Sequence, residues 1–482
     1  MKRKNIVLIV LGIIVILIAV IIIAANSNRS EIHSYSVNVT DANNVSVETT
    51  TQLHETEVPD GYVGIYTVDD FEYIRTNPSY NYILMNDIDF SGVTEWKAPD
   101  IESIFDGNNY TINNYKQDVP LFDKCVGLIQ DLNMKNFDIT AGASICNEIY
   151  SNSTSKNVGI VNCVARGKIQ YSLYKDLSNI EKSLNLSGAR NIIDASRAEI
   201  FIGGLVGKIR NNNADNPIVE NCCFIGTIDI LFNFNELEKN YYIENSMPIY
   251  VGGIAGSVVD CKISKCKTSG EISFNKSNDV INEHCLGRIG GIFGGITGVS
   301  SIKQSKNEIN ISSNCGGSRI GGIVGEIRQQ DENLIIREAC NTGNIVSTDK
   351  SSLNHGAGIV GANNGYYMPF MYDCYNAGNI SASNAAGLSS SSAIISGCYN
   401  VGTISGTDKA GAITADKSEQ IEYSYFLDNS VDVTGDGGKY PYVKALSEEE
   451  MKNQSSFEWM NFNDVWTFSD GDYKYPTLIN CP

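Results

Sequence analysis

Thirteen cysteines are the most reactive side chains in this 482-residue sequence, against only 4 histidines. Five recur in one setting: Cys163, Cys222, Cys266, Cys374 and Cys398 each stand four residues before a glycine. A sixth copy reads Ala339-Cys340-Asn341-Thr342-Gly343, where aligning the glycine puts Ala339 in the cysteine's place. Three chemistries compete for such thiols. Zinc needs cysteines two residues apart or a nearby histidine, and neither Cys222-Cys223 nor Cys261 with Cys266 provides that. Disulfides are the usual reading of many cysteines outside the cytoplasm. The third reading is a small buried apolar side chain. Ala339 in the same slot favours it, because it preserves size and not sulfur.

Other groups offer less. His54-Glu55 lies in a polar stretch with no second histidine near it, and His284-Cys285 does no better. Asn354-His355-Gly356 reads as a surface turn. Asp69-Asp70 fits the start of a helix, with Thr67 as N-cap. Asp432-Val433-Thr434-Gly435-Asp436-Gly437 opens like a calcium loop, but the twelfth position is Val443, which cannot ligate as the required acid does. No metal and no cofactor is expected. Tyr375 and Tyr399 follow two of the recurring cysteines, so strand alternation turns them to the opposite face. Outward rings of this kind stack on sugars or partner chains, or cover the flank of the fold. A formal charge of −19 argues against nucleic acid, whose affinity comes mostly from Lys and Arg on phosphates.

The elements that must carry these residues are repeats. Gly203-Gly204-Leu205-Val206-Gly207 returns as Gly252-Gly253-Ile254-Ala255-Gly256, Gly290-Gly291-Ile292-Phe293-Gly294 and Gly321-Gly322-Ile323-Val324-Gly325. Weaker copies follow at Ala357-Gly358, Ala386-Gly387 and Ala410-Gly411. The cysteine element follows each copy. After Gly290 it is degenerate, with Asn307 expected in place of the glycine. The shortest unit, Ala386 to Ala410, spans 24 residues and has no helical periodicity. Three short strands and three turns fit that length. One such unit cannot bury its apolar face, but a stack of them can. The spacing therefore predicts an all-β, right-handed parallel β-helix (a β-solenoid) of roughly nine or ten coils, about 45 Å long. The glycine after each cysteine is expected at a corner with positive φ, and the Gly-Gly pairs where neighbouring backbones approach closely.

These residues resemble the GLUG repeat, which Gly204-Leu205-Val206-Gly207 matches directly. That repeat occurs in bacterial surface proteins and in the non-catalytic region of zinc peptidases that cleave immunoglobulin A. The resemblance covers roughly residues 65–482 and implies the fold more strongly than any activity. The His-Glu-x-x-His helix of those peptidases is absent. The segments around Asp69–Ile74 and Ala445–Met451, the latter with Ser447 and Glu450 at capping-box spacing, resemble the opening and closing segments of such solenoids.

Ile6 to Ala25 is an uncharged apolar run of membrane-spanning length after Lys2, Arg3 and Lys4. It predicts a transmembrane anchor with the rest of the chain outside, against the rival reading of a cleaved signal peptide. The expected organisation is a cytoplasmic end (1–5), anchor (6–25), stalk (26–60), N-terminal cap and first coils (61–119), GLUG-type repeats (120–427) and C-terminal cap (428–482). Insertions at 170–200 and 229–249 leave the same corner and are the expected binding face. The function expected is non-enzymatic, adhesin-like binding and display at the cell surface, with a protein or glycan ligand. A carbohydrate-active β-helix enzyme and a purely structural cell-envelope spacer are the alternatives.

Overall fold

The computed structural model describes residues 55–151, 157–172, 199–211, 217–232, 248–276, 286–298, 301–328, 334–429, 431–469 and 471–482. The anchor expected at 6–25, nearly all of the stalk, His54, His284 and most of both insertions lie outside the described residues. Among the described residues no helix is long and apolar enough to cross a membrane. Residues 55–482 form one compact unit.

Each repeat folds into short strands because its apolar residues alternate and its glycines interrupt them. One coil runs through Ile200–Gly203, Val206–Arg210, Ile218–Glu220 and Cys223–Phe232. The next runs through Ile249–Gly252, Ala255–Val259, Lys262–Ser264 and Lys267–Lys276. Successive coils pair parallel and in register: Gly203 with Gly252, Gly252 with Gly290, and Gly290 with Gly321. The result is an all-β stack of long parallel sheets, the arrangement of a β-solenoid. The branched residue after each Gly-Gly pair, or after its Ala-Gly equivalents, points inward; Ala386 pairs with Gly411, which corrects the last copy from Ala410-Gly411 to Gly411-Ala412. Leu205, Ile254, Ile292, Ile323, Ile359, Leu388 and Ile413 are all buried. Each such burial stabilises by roughly 1.5–3 kcal/mol before chain entropy is counted.

The glycines have a steric cause. A Cβ on Gly322 would lie 2.1 Å from the Gly358 carbonyl oxygen, and one on Gly226 would lie 1.9 Å from that of Gly167. These contacts are backbone of a neighbouring coil and cannot give way. The expectation of positive φ at the corner glycines is corrected: of Gly167, Gly226, Gly270, Gly343, Gly378 and Gly402, only Gly270 has it, at 123°. The left-handed residue is instead the one just before the cysteine slot. Asn162 (φ 53°), Asn221 (51°), Lys265 (55°), Glu338 (52°), Asp373 (53°) and Tyr423 (51°) all adopt it. Asn and Asp tolerate this backbone best, and the stacking imposes it on Lys, Glu and Tyr as well.

Both ends carry the expected helical turns. Thr67 begins a 3₁₀ turn and the helix Phe71–Thr76 follows, with Asp70 accepting from the Thr67 N–H at 2.8 Å. Ser447 begins the helix Glu448–Met451 with a capping box: the Glu450 N–H donates to Ser447 Oγ at 3.3 Å, and the Ser447 N–H donates to Glu450 Oε2 at 2.8 Å.

Candidate functional site

Register places the recurring cysteines in one interior column. Cys163, Cys222 and Cys266 stand one residue before the paired Val164, Cys223 and Lys267. The same column continues through Ser305, Ala339, Cys374, Cys398 and Ser424, all buried. Size is not the whole requirement. Each thiol reaches the carbonyl two residues back, Cys163 to Val161 at 3.3 Å and Cys374 to Tyr372 at 3.2 Å. Ser305 makes the same bond to Lys303 at 2.9 Å, and Ser424 to Glu422 at 2.8 Å. From Cys163 to Ser424 the slot therefore takes a small side chain, with a donor in every coil but that of Ala339, whereas one coil earlier Leu132 fills it. Burial pushes the Cys222 thiol up to about 12, so it is an unreactive thiol.

A second interior column went unread in the sequence. Asn307, Asn341, Asn376 and Asn400 are in register and buried. Each amide donates to the next: Asn307 to Asn341, Asn341 to Asn376 and Asn376 to Asn400, all at 2.7 Å. Each also donates to the carbonyl two residues on, as Asn376 does to Gly378 at 2.8 Å. The expectation that Asn307 replaces the corner glycine is thereby corrected, since Ile309 holds that rung, paired with Gly270. The asparagines also explain the second glycine of the later pairs: a Cβ on Gly322 would sit 2.4 Å from Asn341 Cγ, and one on Gly358, in the Ala357-Gly358 copy, 2.4 Å from Asn376 Cγ.

Tyr375 and Tyr399 do not form an exposed stripe. They turn away from the cysteine column as expected, but they are 4% and 0% exposed. Their rings stack on each other at 5.0 Å and lie against Trp466 at 6.0 and 5.5 Å. The C-terminal segment covers them, so they are cap core and not a binding surface.

The open chemistry lies at the outer bend across each Gly-Gly pair. On one side, Phe201, Tyr250, Arg288, Arg319 and His355 form a column in register. On the other stand Glu148, Lys208, Ser257, Gly295, Glu326 and Ala362. Both columns were readable from the repeats, two residues before the Gly-Gly pair and one after the closing glycine. The missing signal was that they meet across the bend.

Where the second column is small, a cavity of about 280 Å3 opens, lined by Glu199, Lys208, Tyr250, Ser257, Val259, Gly295, Ile296, Thr297 and Arg328. Gly295 is essential to its shape, because a Cβ there would lie 2.6 Å from the Tyr250 ring. Lys208 sits over the Phe201 ring at 4.3 Å and Arg328 over Tyr250 at 5.0 Å.

Behind the cavity the bend is filled by charge. Glu326 is fully buried, with Arg328 Nε 2.8 Å from Oε2 and with Arg319 bonded to Oε1. Arg288 Nε lies 3.0 Å from Oε1, close enough for ion pairing but off the line of a hydrogen bond. The Tyr250 hydroxyl donates to the same carboxylate at 3.4 Å. Burial pulls the Arg288 guanidinium down to about 10, against the pull of Glu326. Arg328 also reaches Glu199 at 3.1 Å. Both carboxylates at the cavity, Glu199 and Glu326, are thus held by guanidinium groups.

His355 is a strand residue in this column and not a surface turn, which corrects that expectation. Its Nδ1 lies 3.2 Å from Ser390 Oγ. Ser390 donates its own proton to the Gly361 carbonyl, so Nδ1 carries the hydrogen. Burial, with Arg319 next, pulls the imidazole down to about 4. Asp436, in the loop compared with calcium sites, pairs with Lys409 at 3.2 Å. Among the described residues no group of three or more His, Cys, Asp or Glu is placed to hold a metal ion.

No family model and no curated protein matches the chain. Two solved structures are similar in arrangement at low identity. One is a candidate immunoglobulin A1 protease from Bacteroides ovatus, 16% identical, covering 86% of this chain and 91% of that one, with a TM-score of 0.38. The other is named IgA1 protease, 15% identical, covering 73% of this chain and 23% of that one, also with a TM-score of 0.38.

Proposed function

We propose that this protein is a non-enzymatic surface module of GLUG-type repeats, a right-handed parallel β-helix tethered by residues 6–25, whose bend groove binds an acidic glycan. The observation that carries this is the cavity between Lys208 and Arg328. It presents Lys208 over the Phe201 ring, Arg328 over the Tyr250 ring and shared with Glu199 and Glu326, the hydroxyl-bearing Ser257 and Thr297, and a floor kept open by Gly295. Fixed polar donors are the usual means of orienting a sugar in a cavity. A carboxylate on the sugar would answer the lysine and arginine. Glu199 lines the cavity as well and shares Arg328 with Glu326, so in a chain of net charge −19 the charge that selects an acidic ligand is that of Lys208.

The test is a glycan array probed with the protein, followed by Lys208→Ala and Gly295→Leu. Binding restricted to acidic glycans, weakened about tenfold or more by each variant, supports the reading. Equal binding by the variants, or by neutral glycans, overturns it. Cleavage of a bound polysaccharide would make the protein an enzyme, and absence of any ligand would leave the spacer reading.

A further inference from the structure

The cysteine of one coil is out of place. In the coil where Ala339 occupies the interior slot, Cys340 takes the next position and faces outward, in the column that holds Tyr375, Tyr399 and Tyr425 in later coils. That column is covered by the C-terminal segment. Beyond its last strand, Pro476–Leu478, that segment brings Cys481 to Cys340, with the two Sγ atoms 3.5 Å apart. The surroundings differ from those of the interior thiols. The Lys306 side chain stands one rung away from Cys340 in the same column. Burial opposes ionisation of Cys340, but its hydrogen bond with Cys481, the Lys306 charge and Tyr375 together hold its thiol below the usual value. Cys481 is only half-buried, so a reagent can reach it; its hydrogen bond with Cys340 and burial hold its own thiol above the usual value, so it attacks through its minor thiolate fraction.

We propose that Cys340 and Cys481 form a disulfide that staples the C-terminal cap to the solenoid. The oxidant is a disulfide donor, either a small-molecule disulfide or a thiol–disulfide oxidoreductase. The Cys481 thiolate attacks one donor sulfur, and the other donor sulfur leaves as a thiolate that takes up the proton lost by Cys481. The Cys340 thiolate then attacks Cys481 Sγ, releasing the second donor thiolate, which takes up the proton lost by Cys340. Two protein thiols are oxidised and one donor disulfide is reduced to two thiols. The sulfurs close from 3.5 Å to a bond of about 2.05 Å, a movement within reach of side-chain rotation near the end of the segment. Interior cysteines such as Cys374 and Cys398 share neither feature: they are fully buried from any donor, and their in-register side chains point the same way.

The full chain, purified without reductant, is incubated with oxidised glutathione, alkylated under denaturing conditions, digested unreduced and read by mass spectrometry. The expected result is a Cys340–Cys481 linked peptide, with Cys163, Cys222, Cys266, Cys374 and Cys398 alkylated. Alkylation of both Cys340 and Cys481, or linkage of either to another cysteine, overturns the proposal. For the stapling role, oxidation should slow proteolysis of residues 447–482 about tenfold in the wild type and not in Cys481→Ser. Equal rates in the two oxidised proteins would remove that role.

Discussion

The coils before residue 300 and those after it share one backbone plan and fill it differently. The interior rung next to the cysteine slot holds Ala165, Phe224 and Thr268 early, then Asn307, Asn341, Asn376 and Asn400. Early coils fill the space with a ring or methyl group, and a Cβ on Gly204 would strike the Phe224 ring at 2.5 Å. Late coils fill it with amides that bond to one another and to the corner backbone, and Thr268 begins this chain by donating to Asn307 at 2.8 Å. The outer bend changes too. It is open at Ser257 and Gly295 and packed with charge at Arg319, Glu326 and His355. The lesson is that stacking dictates the glycines, whereas the filler has only to satisfy volume and hydrogen bonds. The amide solution belongs to the compact units, where one side chain both fills the rung and ties the corner.

The largest effect should come from breaking the amide column in its middle. Asn376→Leu removes the partners of Asn341 and Asn400 and of the Gly378 backbone, and should cost about 3–5 kcal/mol. Phe224→Leu, the early counterpart, should cost about 1–2 kcal/mol. Urea unfolding of the two variants measures the difference, and equal losses would refute the distinction between the halves. Gly204→Ala and Gly322→Ala should each cost about 3 kcal/mol, because both meet backbone oxygen near 2 Å. A much smaller loss in one half would show that its coils can spread apart.

The packed part of the bend should carry a pH signature. His355 has a folded value of about 4 against an ordinary 6.5, set by burial, Arg319, Arg288 and Lys409, with Asp416 opposing. Between those two values the unfolded chain takes up the proton first, so stability falls as pH drops from 6.5 toward 4 and this contribution levels off below. The drop should be about 2–3 kcal/mol, and His355→Gln should flatten the profile across that window. A profile unchanged by the substitution would place the titration elsewhere. The smallest effect belongs to the feature common to both halves. Cys222→Ser should be within about 0.5 kcal/mol of wild type and Cys222→Ala about 1 kcal/mol less stable, since serine and alanine already occupy this slot at Ser305 and Ala339.

Much of the fold was legible because a solenoid multiplies one local signal. Gly204 alone says little, but its return at Gly253, Gly291 and Gly322 identifies a rung position whose neighbours must be backbone. The same repetition displayed Asn376 and Asn400 beside the cysteines, yet asparagine is so ordinary in turns that its interior use could not be told from a loop. The bend columns were likewise displayed residue by residue, without any sign that Lys208 and Phe201, or Glu326 and Arg288, stand on facing sides. Tyr375 and Tyr399 failed for a different reason. Alternation gave their direction correctly, but what covers them is Trp466 and Tyr473, about 70 to 100 residues later and outside the repeat.

What this sequence determines by itself is periodic: parallel strands, their register, the glycine positions and the small buried slot, because each is set by contact with an equivalent residue one coil away. What only the tertiary structure decided is aperiodic: the saturated Glu326, the open cavity at Gly295, the buried tyrosines and the meeting of Cys340 with Cys481. Each of these depends on residues brought together across a bend or from the C-terminal segment, and no local spacing encodes such a meeting.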